Sequence, residues 1–154
     1  MVRKSGEGER RLPVIQNRRA RHDYEILNTY EGGIVLAGSE VKSIFAGKAH
    51  LQGAYCRIES GEVWLYDMEV APYEKAGAYL PERKRKRKLL FHKREIELIR
   101  RRSEERGLSL IPTKVYFSNG KVKVEVALAK GRKTYDKREA IKKRDEKRAQ
   151  DRAE

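Results

Sequence analysis

Residues 108–129 read LSLIPTKVYFSNGKVKVEVALA, and this stretch decides the fold class. Its central Asn119-Gly120 pair is the strongest short signal for a two-residue β-hairpin turn, because both positions of a type I′ turn need a positive φ. After the turn, Val122, Val124 and Val126 alternate with polar residues. Alternate residues of a strand lie on the same face, so the stretch predicts an antiparallel hairpin with one apolar face.

Three more stretches of the sequence predict strands. Residues 53–70, GAYCRIESGEVWLYDMEV, repeat the hairpin pattern around Ser60-Gly61. Upstream, residues 22–30 (HDYEILNTY) and residues 32–38 (GGIVLAG) predict one strand each, and the second is more buried because its apolar residues are consecutive. The total is about six short strands.

Two stretches between the strands show the spacing of apolar residues that is typical of helices. Residues 39–48 predict a short helix that is capped by Ser39 and ended by Gly47. Residues 89–107 predict a longer helix, in which Gly107 suits the position just after the helix end.

The expected fold is mainly β: a small closed antiparallel barrel of about six strands, of the oligonucleotide-binding type, with two or three helices. Residues 17–129 carry nearly all the large apolar side chains and form the predicted barrel. Residues 1–16 are rich in Gly, Glu and Arg and are expected to be a flexible N-terminal segment. Residues 130–154 are expected to be a basic C-terminal tail.

The last 20 residues of this tail read YDKREAIKKRDEKRAQDRAE (135–154) and include 14 charged side chains. Most of them are good helix formers, but they lack an apolar stripe that would dock a helix on a core. Such a segment buries too little apolar area to offset its ordering entropy, and it is expected to be disordered when free.

The charge of the chain predicts a polyanionic partner. Its 154 residues include 37 Lys+Arg against 23 Asp+Glu, a formal net charge of +14, which favours nucleic acid over an anionic membrane. No apolar run approaches the roughly 20 residues of a membrane span, and the N-terminus lacks the apolar region of a secretory signal. Cys56 is the single cysteine, which fits a reducing cytoplasm.

Enzyme signatures are nearly absent from the sequence. His22, His50 and His92 lack metal-ligand spacing, and no phosphate-binding loop is present. No catalytic residue, metal or other cofactor is therefore expected. One alternative stays open, because His22, Asp23 and Glu31 could serve acid–base chemistry in an RNA-processing enzyme. A charged strand end is the commoner meaning of such a cluster.

Clusters of cations are the main functional signal. Residues 17–21 (NRRAR) place three arginines beside an asparagine, and residues 82–88 (ERKRKRK) contain six consecutive cations. Arginine binds phosphate through two hydrogen bonds and stacks on bases. A run of like charges also occurs as a solvated loop, but a phosphate backbone would relieve the mutual repulsion of six cations.

The aromatic residues and one carboxylate allow two interpretations each. Stacking on bases and packing in the core are both open for Tyr55, Trp64, Tyr66, Tyr73 and Tyr79. Glu31 is either a turn carboxylate in a local ion pair or an acceptor for a base edge.

Four motifs together carry a resemblance to a known family. They are NRRARHDYEILNTYEGGIVLAGSEVKSI (17–44), GEVWLYDMEVAPYEK (61–75), RKRKLLFHKREI (85–96) and KGRKTYDKR (130–138). From Asn17 to Arg138 the chain resembles the bacterial SsrA-binding protein (SmpB) family. The resemblance implies an RNA-binding adaptor that binds the tRNA-like domain of transfer-messenger RNA (tmRNA) at its elbow. It also implies delivery of tmRNA to stalled ribosomes in trans-translation, by a monomer in one copy per tmRNA, with no membrane partner.

The residues that match the family's motifs, together with the basic clusters, define a predicted RNA-binding set. The first motif contributes Asn17, Arg18, Arg19, Arg21, His22, Tyr24 and Glu31. The later motifs and the polar face of the second hairpin contribute Lys42, Arg85, Arg87, Lys88, His92, Lys93, Lys121 and Lys123. The family usually has Arg where this chain has Phe45, so stacking on RNA and inward packing are both open there.

The resemblance also implies a use for the tail, which would become helical in the decoding centre and the empty mRNA channel of the ribosome. The implied ribosome-binding residues are Gly131, Lys133, Tyr135, Asp136, Lys137, Arg138, Ile141 and Arg144. Without the resemblance, a generic single-stranded nucleic-acid-binding barrel is the alternative function.

Overall fold

The computed structural model describes residues 12–73, 80–132 and 134–153. In this part of the chain, nine strands and four helices follow one another. The first elements are β1 (Ile15–Gln16), α1 (Ala20–Asp23), β2 (Tyr24–Ile34), α2 (Gly38–Phe45), β3 (Ala49–His50), β4 (Tyr55–Glu59) and β5 (Glu62–Tyr66). The remaining elements are β6 (Glu69–Val70), β7 (Arg87–Leu90), α3 (Lys93–Arg106), β8 (Ser109–Ser118), β9 (Lys121–Gly131) and α4 (Thr134–Ala153).

Both predicted hairpins are confirmed. In the β8–β9 hairpin, Ser118 lies opposite Lys121, and Asn119 and Gly120 have φ angles of 52° and 73°. A type I′ turn needs these positive angles at both central positions. The β4–β5 hairpin turns at Ser60-Gly61, also with positive φ at both residues.

Seven strands form one antiparallel sheet in the order β1-β8-β9-β2-β7-β5-β4, and β3 pairs with β6 in a second sheet. The large sheet curls until β4 comes close to β8, but in the described residues no ladder of hydrogen bonds joins these two strands. The predicted closed barrel of six strands is therefore not found. Residues of α3, including Arg100 and Ser103, line a cleft together with residues of β4 and β8.

The predicted strand count is wrong for two reasons. Residues 24–34 form one strand of 11 residues, because Gly32 and Gly33 pair with Val124 and Lys123 of β9 instead of turning the chain. In addition, β1, β3 and β7 have only two to four residues each, which is too short for an alternating pattern to appear in the sequence.

Strand β2 also contains a β-bulge at Leu27. Ile26 lies opposite Ala129, but Asn28 lies opposite Leu128, so Leu27 is an extra residue without a partner on β9. A bulge of this kind bends the strand and shifts the alternation of its side chains by one residue.

The two predicted helices exist with shifted starts. Helix α2 begins at Gly38 with Ala37 as its N-cap, not at Ser39, because the Glu40 carboxylate accepts a hydrogen bond from the Ala37 N–H at 2.9 Å. Helix α3 begins only at Lys93, since residues 89 and 90 belong to β7. Its predicted end at Gly107 is confirmed by the left-handed conformation of that residue.

Apolar residues are buried on both faces of the curled sheet. The main core includes Ile44, Leu51, Leu65, Met68, Leu89, Ile99 and Leu128. A smaller cluster of Ala20, Ile111, Ala127 and Ala129 packs α1 against the opposite face. Cys56 is a core residue, and burial raises the pKa of its thiol.

The C-terminal tail is helical in the structure. Helix α4 covers Thr134–Ala153 and contacts α1. Ile141 is half-buried, whereas residues 142–150 are exposed. The structure does not confirm the disorder that the sequence predicts for the free tail. Residues 1–11, which contain most of the predicted flexible N-terminal segment, lie outside the described residues.

A buried ion pair connects α2 to β7. Arg87 is 0% exposed and Glu40 is 3% exposed, and the Nε and Nη2 atoms of Arg87 lie 2.8 Å and 2.5 Å from Glu40 Oε2. The guanidinium also donates to the carbonyls of Met68, Arg85 and Arg83 at 2.7–3.1 Å. This single side chain therefore fixes a helix, a strand and the loop before the strand.

Arg85 supplies a second cation to the same carboxylate, with its Nη2 atom 2.5 Å from Glu40 Oε1. Burial alone would raise the pKa of the Glu40 carboxyl, but hydrogen bonds from Arg85, the Ala37 N–H and Arg87 outweigh it and hold the pKa below its ordinary value. Burial lowers the pKa of Arg87, and the pairing with Glu40 opposes that effect.

Glu40→Gln is expected to lower the free energy of unfolding by about 3–5 kcal/mol, because it leaves the Arg87 guanidinium buried without a counter-charge. Urea denaturation measures this loss. Glu62→Gln is the matched control, since Glu62 pairs with Lys88 at 2.5 Å but both side chains are 41% exposed. The control should cost at most about 1 kcal/mol, and equal losses in the two variants would contradict the assigned role of the buried pair.

The acid dependence of stability provides the second half of this test. Since the pKa of Glu40 is depressed in the folded state, its stabilisation is complete above the ordinary value of 4.5 and is lost as the pH falls through the lower, folded-state value. The difference in unfolding free energy between wild type and Glu40→Gln should therefore narrow as the pH falls below that ordinary value. A difference that stays constant with pH would contradict the depressed pKa.

Candidate nucleic-acid interface

The predicted RNA-binding residues fall mainly into two regions at opposite ends of β2. We call residues Asn17–Tyr24 the α1 region. We call the second the cleft region, which comprises the end of β2, the β8–β9 turn and the start of α3. Glu31 lies seven positions after Tyr24 in β2, which corresponds to roughly 20 Å at about 3.3 Å per residue.

The cleft region encloses a volume of about 710 Å³. Four predicted residues line it together, namely Glu31, His92, Lys121 and Lys123. Lys121 is exposed and Lys123 is half-buried. The sequence places these residues up to 92 positions apart, and the sheet brings them to one cleft because β2 pairs with β9.

Glu31 is exposed, and its carboxylate accepts a hydrogen bond from the Tyr116 hydroxyl. Burial, Glu31 and Glu125 all raise the pKa of Tyr116, so its hydroxyl remains a donor at neutral pH. An ionised carboxylate has about four acceptor sites, and the bond to Tyr116 therefore orients Glu31 while leaving capacity for a base edge.

Tyr116 is not among the predicted site residues. The alternation of the hairpin could have indicated it, because Tyr116 lies directly opposite Lys123 on β9 and therefore shares its polar face. Lys114, two residues earlier, places its Nζ 5.2 Å from the centroid of the Tyr116 ring.

His92 and Lys93 are exposed at the N-terminus of α3. The His92 N–H donates to the Glu95 carboxylate at 3.2 Å, which is one half of a capping box. The start of a helix favours anions because its first N–H groups are unpaired, so both residues lie where a phosphate would be stabilised.

Three more predicted cations lie between α2 and β7. Lys42 is exposed, with its Nζ 5.3 Å from the Tyr73 ring centroid. Lys88 pairs with Glu62. Arg85 is 30% exposed and is shared with Glu40, so only part of its guanidinium is available to a ligand.

Arg87 is the clear correction to the predicted set. The sequence places it in a run of exposed cations, but the structure buries it against Glu40. Along β7, alternate residues turn to opposite faces, and the side chain of Arg87 points into the core side. Glu40, rather than a phosphate, compensates its charge, and Arg87 is excluded from the RNA-facing surface.

The α1 region exposes Arg18, Arg19 and Arg21. Arg19 is only loosely paired, with its Nε 3.9 Å from Asp23 Oδ2. Asn17 is half-buried, and its side-chain amide donates to the Pro112 carbonyl at 2.9 Å, so it anchors the region to β8.

Acid–base chemistry shared between His22 and Glu31 is contradicted by the geometry. His22 Nδ1 lies 2.9 Å from Asp23 Oδ1, but the length of β2 keeps Glu31 at the other end of the sheet. Within the described residues, no group of three or more His, Cys, Asp or Glu side chains could hold a metal ion.

The predicted tail residues are only partly described. Gly131 and Arg138 are exposed, Ile141 is half-buried and Arg144 is exposed. Tyr135, Asp136 and Lys137 belong to α4, and their side chains lie outside the description, as does residue Lys133. No helix in the described part of the chain, α4 included, is long and apolar enough to cross a membrane.

The aromatic residues of the first hairpin are not core residues. Tyr55 is 37% exposed and stacks on Tyr66, with ring centroids 5.2 Å apart and planes at 6°. Lys86 lies over Trp64 at 4.5 Å.

Phe45 makes an edge-to-face contact with Phe117 at 5.8 Å while 49% exposed, so its ring is packed on one side and open on the other. Tyr79 lies outside the described residues.

Gly32→Ala is expected to displace Phe91 and distort the cleft region. An added Cβ at Gly32 would lie 2.6–2.8 Å from the Phe91 ring, whereas at Gly33 it would lie 3.5 Å from Leu90, an ordinary contact. Overpacking costs roughly 1–3 kcal/mol, so thermal denaturation should show a loss for Gly32→Ala and little change for the control Gly33→Ala. Equal melting temperatures would contradict the close packing of Phe91 on Gly32.

Comparison with known proteins places the chain in a family. It matches the family model described as SmpB protein over residues 14–154. The SsrA-binding protein of Pelotomaculum thermopropionicum is 54% identical over 140 residues, which cover 91% of this chain and 92% of that protein. The SsrA-binding protein of Trichodesmium erythraeum is 49% identical over 154 residues, which cover 99% of this chain and 97% of that protein.

A solved chain described as "tmRNA-SmpB: a journey to the center of the bacterial ribosome" is also similar. It is 49% identical to this chain, with a TM-score of 0.68, and the alignment covers 84% of this chain and 94% of the solved one. These matches span nearly the whole sequence, and we conclude that the chain belongs to the SmpB family of SsrA-binding proteins.

Proposed function

We propose that this chain is an adaptor that binds the tRNA-like domain of tmRNA and delivers it to stalled ribosomes for trans-translation. The observation that carries the proposal is similarity along almost the entire chain to proteins named for SsrA binding and to a chain solved in the context of tmRNA and the ribosome. Because the proposed partner is the bacterial ribosome, we infer that the chain acts in the cytoplasm.

The chemistry of the two regions supports binding rather than catalysis. The α1 region offers exposed arginines, which suit phosphates. The cleft region combines lysines with an oriented carboxylate at Glu31, which suits an exposed base edge. The two regions lie roughly 20 Å apart along β2, a span that a folded RNA elbow can contact at both ends.

The two proposed partners, tmRNA and the ribosome, bind different segments of the chain. We assign residues 17–129 to RNA binding and to an incompletely closed sheet of the oligonucleotide-binding type, since the sheet curls until β4 lies beside β8. We assign residues 130–154 to the ribosome, with one copy of the chain per tmRNA. In this proposal the tail samples disordered states when free and is held as a helix in the decoding centre and mRNA channel, where its charged side chains contact RNA phosphates.

Glu31→Ala is expected to weaken binding of the tRNA-like domain of tmRNA about tenfold or more, because a hydrogen bond to a charged group contributes about 1.5–3 kcal/mol. Fold stability should change little, since Glu31 is exposed. A gel shift with the isolated tRNA-like domain measures the affinity. Glu62→Ala, an exposed carboxylate outside the cleft region, is the control, and an unchanged affinity for Glu31→Ala would remove Glu31 from the site.

The same gel shift separates the adaptor from a generic single-strand binder. Poly-U at equal nucleotide concentration should compete poorly with the tRNA-like domain, and binding of that domain should weaken steeply with added salt as counterions are released. Equal competition by poly-U would favour the generic function.

Deletion of residues 131–154 is expected to spare RNA binding and to abolish ribosome rescue, because the proposed RNA-binding regions lie in the body. Gel shift measures the first property, and tagging of a stalled nascent chain in a reconstituted translation system measures the second. Loss of both properties would mean that the tail belongs to the RNA-binding body, and retention of both would remove its ribosomal role.

A further inference from the structure

We propose that a cleft between β4, β8 and the C-terminal half of α3, here called the seam cleft, binds one unpaired nucleotide of an RNA. It has a volume of about 400 Å³, within the range of sites that hold small organic ligands. It occupies the gap where the curled sheet does not close. The inference rests on the proposed RNA-binding function and adds a site separate from the cleft region.

Two tyrosine rings line the seam cleft, Tyr24 and Tyr55. Tyr24 is half-buried and Tyr55 is 37% exposed. The stacking of Tyr55 on Tyr66, at 5.2 Å and 6°, fixes the orientation of the exposed ring. A ring that is already held in place loses little conformational entropy when a base stacks on it, and base–aromatic stacking tolerates any base.

The charged side chains of the seam cleft favour an anion. The guanidinium carbon of Arg57 lies 6.0 Å from the Tyr55 ring centroid, and in the described part of the chain Arg57 forms no salt bridge. Arg100 and Glu104 also line the cleft, but they pair with each other at 2.8 Å, and Glu97 binds the same guanidinium at 2.5 Å. Arg57 is therefore the cation that a phosphate would meet.

Cations continue on both sides of the seam cleft. Tyr24 directly follows α1, whose region exposes Arg19 and Arg21. On the other side, Lys86 Nζ lies 5.9 Å from the Tyr66 ring and 3.7 Å from Glu59 Oε2, an exposed pair that a phosphate could replace. A nucleotide whose base enters the cleft has a phosphate on each side, so a cation at each side matches the backbone of a continuous RNA strand. A peptide that inserts a single apolar or acidic side chain into the cleft would leave the cations on both sides without a phosphate to bind.

The test uses the full chain and a fluorescein-labelled adenylate hexamer, with affinity read by fluorescence anisotropy. Tyr55→Leu keeps an apolar side chain but removes the ring, and Arg57→Gln removes the cation. Each variant is expected to bind the hexamer about tenfold more weakly, which for Tyr55→Leu is in the range for loss of one base stack, while Tyr55→Phe binds like the wild type. Arg101→Gln, an exposed cation of α3 outside the cleft, controls for the general loss of charge.

Two further measurements locate the source of the nucleotide. If it belongs to the tRNA-like domain of tmRNA, Tyr55→Leu also weakens binding of that domain. If it belongs to ribosomal RNA, binding of that domain is unchanged and association with ribosomes weakens. Either result supports the seam cleft.

Wild-type hexamer affinity in Tyr55→Leu and Arg57→Gln, or no hexamer binding by the wild type, would overturn it. Failure of the proposed function is distinct, because it would appear as no binding of the tRNA-like domain by the wild type.

Discussion

The buried pair between Glu40 and Arg87 is the constraint on which the rest of the structure depends. A guanidinium without exposed surface is tolerated only when a carboxylate and further acceptors surround it, and here one carboxylate and three backbone carbonyls do so. These partners come from α2, from the loop before β7 and from the end of the first hairpin. Their convergence determines where α2 lies against the sheet, and therefore where Lys42 and the cleft region are.

The same pair explains the distribution of charge on the surface. Residues of an extended segment alternate between its faces, so Arg85 and Arg87 turn toward Glu40 while Lys86 and Lys88 turn outward. The outward lysines contact Trp64 and Glu62 and form part of a mixed aromatic and cationic face. One run of like charges thus contributes both to the interior and to the surface, which reduces the repulsion along the run.

How much of this could be predicted from the sequence depended on whether the deciding contact was local. The two hairpins were predictable because Asn119-Gly120 and Ser60-Gly61 each contain a glycine, which adopts the positive φ of the turn without steric cost. The burial of Arg87 was not predictable, since its partner Glu40 is 47 residues away and a cation run reads as exposed. The continuity of β2 through Gly32 and Gly33 was also hidden, because Phe91, from a different strand end, occupies the space beside Gly32. The types of residue in the site could be predicted from the motifs. The contact between Glu31 and Tyr116 could not, because it depends on the pairing of β2 with β9 and of β9 with β8.

The bulge at Leu27 determines which residues of β2 share a face. Tyr24 and Glu31 are seven positions apart, an odd number, and in an uninterrupted strand they would point to opposite sides. Because Leu27 has no partner on β9, six paired positions separate Tyr24 from Glu31. Tyr24 and Ile26 therefore pack with Ala127 and Ala129 on the side where Glu31 also lies. Removing Leu27 would leave Tyr24 and Glu31 six positions apart, opposite the same residues of β9, so both would stay on one side of the sheet and only the bend of the bulge would be lost. The loss or gain of one paired residue between Tyr24 and Glu31 would instead turn the two ends of β2 to opposite sides of the sheet.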